Sequence, residues 1–187
     1  MSKATDWITS NGDIIKNIAA NMEDIQKLVT GFAYIAGIFF ILKAVLALKQ
    51  YGESRSAMSA GQSHLKEPLM YFLVGAFLLF FPSGLAVILQ TTFGDSTLME
   101  YQSINSKNDT WNGLFGSGSS VGRSLVMIIQ TIGGIAFVRG WILIARGASQ
   151  GQQPGGTGKG MVHVFGGVLA MNIVSTLQII NNTIYGV

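Results

Sequence analysis

The sequence predicts an all-α integral membrane protein. An N-terminal amphipathic helix precedes four transmembrane helices, arranged as two tandem helical hairpins in a parallel repeat. Three observations predict this. Of the 187 residues, 49% are hydrophobic and only 11% are charged, against about 25% charged in an ordinary soluble domain. A soluble domain of this size cannot cover its surface with so few charges, so a soluble enzyme fold is excluded first. The apolar residues fall in four long blocks, and the second pair of blocks resembles the first at fixed offsets.

Residues 1–27 form the first element. Trp7, Ile8, Ile14, Ile15, Ile18, Met22 and Ile25 recur at helical steps, with Asn11, Asp13, Lys16, Asn17 and Asp24 elsewhere. Such a face is expected to lie on the membrane or on a partner. No basic segment leads into an apolar core here, so the stretch does not read as a signal peptide and is expected to stay on the chain.

The first span is Leu28–Leu48 and the second Leu69–Leu89. Together they make a first hairpin over residues 28–91. Pro68 opens the second span, where a proline is tolerated. Pro82 lies inside it and is expected to kink the helix near Phe81. Residues 92–120 form a long linker, acidic at Asp95, Glu100 and Asp109, which ends in the Gly/Ser run Gly116–Ser120. The second hairpin, 121–187, holds the spans Ser124–Ala145 and Met161–Ile180. The last span is the most polar, with His163, Asn172, Ser175, Thr176 and Gln178. It is expected to face protein rather than lipid.

The halves align. At an offset of 97, Gly37, Ile38, Phe40 and Leu46 match Gly134, Ile135, Phe137 and Leu143, and Lys49 falls on Arg146. At an offset of 91, Met70, Gly75, Leu78, Ile88 and Thr92 match Met161, Gly166, Leu169, Ile179 and Thr183. Each copy has two spans, so both enter the membrane in the same direction. Transporters built on inverted repeats around a midplane site differ in this respect. Lys49, Arg55, Lys66, Arg146 and Lys159 lie in the two hairpin turns, while the linker through Ser120 has only Lys107. The positive-inside rule then puts both turns in the cytoplasm and both termini in the periplasm.

Few residues point to chemistry. There are no cysteines, which removes disulfides, thiolate nucleophiles and thiolate metal sites. His64 and His163 lack the partners that a metal site or a triad requires, so no metal and no catalytic residue is expected. His163 is expected to make a helix-end hydrogen bond. No span contains a carboxylate, which weakens proton-coupled and cation-coupled transport. The stretch Gly155–Gly160 imitates a phosphate loop but has Gln153 and Gly160 where Gly and Ser/Thr are required. Lys43 and Arg139 sit inside the first and third spans, about one and a half to two turns before the cytoplasmic end. They either snorkel to lipid phosphates, line a channel, or hold headgroups between subunits. Ala33 with Gly37, and Gly166 with Ala170, have small-xxx-small spacing. Gly75, Gly133, Gly134, Gly140 and Gly167 add further places for close helix packing, within the chain or between copies.

These motifs resemble a known family. The first copy reads Gly37-Ile-Phe-Phe-Ile-Leu-Lys43, then Gly61-Gln62 and Pro68, then Gly75 and Phe80-Phe81-Pro82. The second reads Gly134-Ile-Ala-Phe-Val-Arg139-Gly140, then Gly151-Gln-Gln-Pro154-Gly-Gly-Thr-Gly-Lys159, then Gly166-Gly167. Over about residues 28–182 the chain resembles the small membrane proteins of type IVB secretion (Dot/Icm) systems, the IcmC/DotE and IcmD/DotP-like group, whose relatives serve IncI-type conjugation. Each half also resembles a VirB-type conjugative pilin, with two hydrophobic helices and a short basic cytoplasmic turn.

The resemblance implies a non-enzymatic bacterial inner-membrane subunit that forms homo-oligomers and meets other membrane subunits of the system. It implies assembly into a lipid-associated tube, channel or extracellular pilus, with DNA or protein only as transient cargo. No cofactor is implied beyond a structural phospholipid. Lys43, Lys49, Arg55, Lys66, Arg139, Arg146 and Lys159 would meet lipid phosphates or face the lumen. The duplication, the long acidic linker and the retained N-terminal helix depart from the single-hairpin pilin. The alternatives are a non-polymerising inner-membrane scaffold of the same system, or a small transporter or channel.

Overall fold

The computed structural model describes residues 12–56, 65–94, 112–113, 115, 119–148 and 156–185. Every long regular element among them is an α-helix. In chain order these are α1 (Gly12–Ala20), α2 (Met22–Ser56), α3 (Lys66–Leu79), α4 (Phe81–Phe93), α5 (Ser120–Ala148), α6 (Gly156–Met171) and α7 (Ile173–Tyr185).

Two helices are long and apolar enough to cross a membrane, and the number rises to four if each bent pair counts as one span. The two come from α2, with 35 residues, and α5, with 29. At 1.5 Å per residue each exceeds the roughly 30 Å hydrocarbon core. The expected second and fourth spans are not continuous. α3 and α4 meet at 91°, and α6 and α7 at 85°. The 14 residues of α3 and the 16 of α6 reach only about 21 and 24 Å.

The first break falls at Phe80, two residues before Pro82. Pro82 has no N–H to give the Leu78 carbonyl, and its ring would collide with that carbonyl in a continuous helix. Placed at the second position of α4, it costs nothing, because first-turn N–H groups have no partner within a helix. Gly84 lets the turn tighten, since a methyl added there would lie 3.0 Å from the Phe77 ring.

The second break, at Asn172, has no proline. Instead Thr176 Oγ1 donates to the Leu169 carbonyl at 3.0 Å and contacts the Asn172 carbonyl at 2.9 Å. A bend frees the last carbonyls of α6, and this hydroxyl satisfies one of them. Side-chain bonding of this kind is invisible to a count of apolar residues, so a single straight fourth span was the natural expectation. Under the offset of 91, Phe80 falls on Met171, one residue from the second break.

The chain forms two compact units. The first comprises residues 1–27, 86–135 and 167–187. Its core holds Val126 and Val174, with Phe115, Ile173 and Leu177 packed against them. The second comprises residues 28–85 and 136–166. It is built on buried Phe40, Ala44, Val74, Leu78, Phe137 and Ile144. One boundary between the units falls at Lys27/Leu28, where the first span was expected to start, and the others lie within the two hairpins. Most of the linker 92–120 lies outside the described residues.

Candidate functional site

In the second unit the helices approach through glycine. A methyl group added at Gly37 would lie 2.8 Å from the Leu79 nitrogen and 3.0 Å from the Gly75 carbonyl oxygen. One added at Gly75 would lie 2.9 Å from the Ile41 nitrogen and 3.0 Å from the Gly37 oxygen. The approach is reciprocal, with each glycine against the other's carbonyl, the setting for weak Cα–H···O contacts. Gly140 and Gly160 repeat it. Their added methyls would lie 2.8 Å from one another's carbonyl oxygens, and Ile144 takes the place of Ile41.

The alignment pairs Ile41 and Gly75 with Val138 and Gly166. Moving six residues toward the turn on both helices carries that pair onto Ile144 and Gly160. Nearer the turn, a methyl at Gly147 would lie 2.6 Å from the Thr157 nitrogen. Gly160, Gly147 and Thr157 were missed as packing residues, because spacing along one helix does not say which glycine meets another helix.

The remaining small residues divide. Ala33 is fully buried, and Gly134 and Gly167 are buried. In the first unit Gly133 packs on Ala170, where an added methyl would lie 2.9 Å from the Ala170 Cβ. Gly166 is exposed, with no atom near enough to obstruct a side chain.

Lys43 is exposed on α2, and its Nζ stands over two aromatic faces. It lies 5.4 Å from the Phe39 ring centre and 5.3 Å from that of Tyr71. Such contacts contribute about 0.5–2 kcal/mol, more where water is excluded. Tyr71 is itself fixed. Its ring stacks on Phe40 at 6.0 Å, and its hydroxyl donates to Glu67 Oε1 at 3.1 Å. Glu67 and Tyr71 are four residues apart on α3, so one helical face carries both.

The other cations are less constrained. Lys49 pairs with Glu53 at 3.8 Å, in solvent. Lys66 opens α3, Arg139 and Lys159 are exposed, and Arg146 occupies the last turn of α5, where it complements the helix dipole. The side chain of Arg55 lies outside the described residues. His163 Nδ1 lies 2.8 Å from the Lys159 carbonyl, a bond at the start of α6. Beside the first span, Lys27 pairs with Glu23 at 3.1 Å. The hydrogen bond and charge of Glu23, then those of Asp24, hold its ammonium above the usual lysine range.

An aromatic cluster fills the second unit. Phe77 stacks on Trp141 at 4.3 Å, and Phe137 packs against Phe77, Phe81 and Trp141. In the first unit Gln130, Thr131 and Asn181 are buried polar residues. Gln26 Nε2 donates to Thr131 Oγ1 at 2.9 Å, and that hydroxyl reaches the Met127 carbonyl at 2.8 Å. Neither the burial of Asn181 nor the Gln26–Thr131 bond carried a local signal, since both depend on what packs across the helices. Among the described residues no cluster of three or more His, Asp or Glu side chains is placed to hold a metal.

No family model, curated protein or solved structure matches the chain.

Proposed function

We propose that the chain is a non-enzymatic, pilin-like membrane subunit that works by associating with copies of itself, its cationic hairpin ends meeting lipid phosphate. The setting is the one its motifs resemble, a type IVB secretion or conjugation apparatus in a bacterial inner membrane. The assembly would be a lipid-associated tube or channel that passes DNA or protein.

The observation that carries this reading is the outer surface of α2. Phe32, Ile35, Ile38, Phe39, Leu42, Val45 and Leu46 are each more than half exposed over successive turns, and Lys43 sits among them. An apolar surface of that extent calls for lipid or another subunit. A cation within it calls for phosphate at the interface. The matching registers of the Ile41–Gly75 and Ile144–Gly160 contacts, and the breaks at Phe80 and Asn172, support two copies of one hairpin unit. The short α3 and α6 favour a second reading, a scaffold that stays in the inner membrane, because a pilin hairpin needs two full spans.

Extraction in mild detergent, followed by particle sizing, phospholipid assay and imaging, tests the reading. Filaments or large rings with stoichiometric lipid are the expected result. A lipid-poor monomer or dimer would leave the scaffold or a transporter. Reversing Lys43 and Arg139 together to Glu is expected to disrupt assembly and transfer. If both survive, the phosphate contact is wrong.

A further inference from the structure

We infer that the first hairpin carries a single headgroup site for a zwitterionic, amine-bearing phospholipid, with its phosphate on Lys43 and its ammonium on Glu67. The inference deepens the lipid-phosphate reading above and rests on it.

The geometry is that of two opposite charges set apart by one aromatic ring. Lys43 Nζ lies over the face of Tyr71, and the Tyr71 hydroxyl, at the far edge of the ring, holds Glu67 Oε1. Among the described residues neither Lys43 nor Glu67 belongs to an ion pair. The cation is held by ring faces and the carboxylate by a hydroxyl, so each keeps capacity for an external partner. A purely anionic headgroup would satisfy Lys43 and be repelled by Glu67. A phosphate with an ammonium a few bonds away satisfies both.

Depth agrees with this order. Gly75 opposes Ile41, so Glu67, eight residues nearer the turn, stands at about the level of Lys49 at the end of the span. Lys43 lies about 9 Å deeper by helical rise, and its ammonium stands over the Phe39 and Tyr71 rings. Phosphate inside and amine outside is the order of a phospholipid in a bilayer. Leu42, Leu69 and Phe72, all exposed on the same two helices, offer apolar surface for the acyl chains.

The second hairpin does not repeat the site. Under the offsets, Phe39, Tyr71 and Glu67 fall on Ala136, Val162 and Gly158. Arg139 therefore lacks both the ring platform and the carboxylate, and one site per chain is expected.

Native mass spectrometry of the full chain in detergent, titrated with phosphatidylethanolamine, phosphatidylglycerol or N-acetylated phosphatidylethanolamine, tests this. The wild type is expected to prefer phosphatidylethanolamine by roughly tenfold, the value of one charge-assisted hydrogen bond, and to bind one copy in that preferred mode. Glu67→Gln should abolish the preference while phosphatidylglycerol still binds. Lys43→Gln should weaken all three lipids. Tyr71→Phe keeps the ring but frees the carboxylate, and should reduce the preference without loss of phosphate binding. Circular dichroism verifies that each variant keeps its helix content. If the wild type binds phosphatidylglycerol as tightly and Glu67→Gln changes nothing, while Lys43→Gln still weakens every lipid, the zwitterion site falls and the phosphate contact stands. If Lys43→Gln changes no lipid, both fall.

Discussion

A methyl group is the sharpest probe at the scale of single residues. Gly75 and Gly166 are aligned by the internal repeat, yet only Gly75 is in close contact. Gly75→Ala sets a Cβ against the backbone of α2, which cannot yield as a side chain tip can. It is expected to destabilise by about 1–3 kcal/mol, as overpacking does. Gly166→Ala meets open space in a helix, so it should stabilise by about 0.5–1 kcal/mol through helix propensity. Thermal unfolding in detergent compares the two. If Gly166→Ala leaves the protomer stable but lowers the oligomer's melting point, that face packs between copies. The need for small residues was legible in the sequence. Their partners were not, because contact across helices depends on the register between them. The same holds for Lys43. Its burial cost within a span was readable, but the rings that receive it come from both α2 and α3.

The two breaks decide what the returning helices are. Pro82 predicts a break from covalent chemistry alone, and the chain turns at Phe80 beside it. Pro82→Ala restores an N–H for the Leu78 carbonyl and should allow a straight helix from α3 into α4. Spin labels at exposed Leu73 and Thr92 would then move from about 21 Å apart, for arms at a right angle, to about 28 Å, for a continuous helix. Electron–electron resonance in reconstituted membrane measures the change. An unchanged distance would mean that packing, such as Phe77 against Gly84, holds the bend without the proline. At Asn172 the equivalent change is Thr176→Val. It strips the Leu169 carbonyl of its hydroxyl donor and should cost about 1 kcal/mol. Nothing in the hydrophobic pattern marked that bend, since Asn and Thr are also tolerated in straight helices.

For the whole molecule, the distribution of charge sets orientation. The basic residues Lys49, Lys66, Arg146 and Lys159 belong to the two hairpin turns, and the positive-inside rule predicts a cytoplasmic side for such segments. The chain has no cysteine, so single cysteines report sidedness without background. Gln50→Cys and Thr157→Cys should be protected from an impermeant maleimide in intact cells, and Asn182→Cys should be labelled. Labelling of all three, or of the turns alone, would invert or break the tandem topology. The outcome also bears on the bends. If α3 with α4, and α6 with α7, each cross once, the turns share a side and the C-terminus lies opposite. If only α6 with α7 re-enters, Asn182 will share the side of both turns; if only α3 with α4 re-enters, Gln50 and Thr157 will lie on opposite sides and Asn182 will share that of Gln50.

Composition by itself determined the solvent of this protein. With 11% charged residues and four apolar blocks between basic turns, the sequence predicts helices in a bilayer, and two to four of the helices are long and apolar enough to cross one. These properties are local sums over neighbouring residues, so the sequence contains them in full. The tertiary structure alone decided the rest. It selected Gly140 and Gly160 as the close pair of the second hairpin, turned α7 away from α6, and hydrogen-bonded Gln26 to Thr131 across 105 residues of chain. It also set Lys43 over the face of the Tyr71 ring and Glu67 on its hydroxyl. Each of these depends on the register and angle between helices. Those are fixed by the summed packing of many side chains, and no single stretch of sequence encodes them.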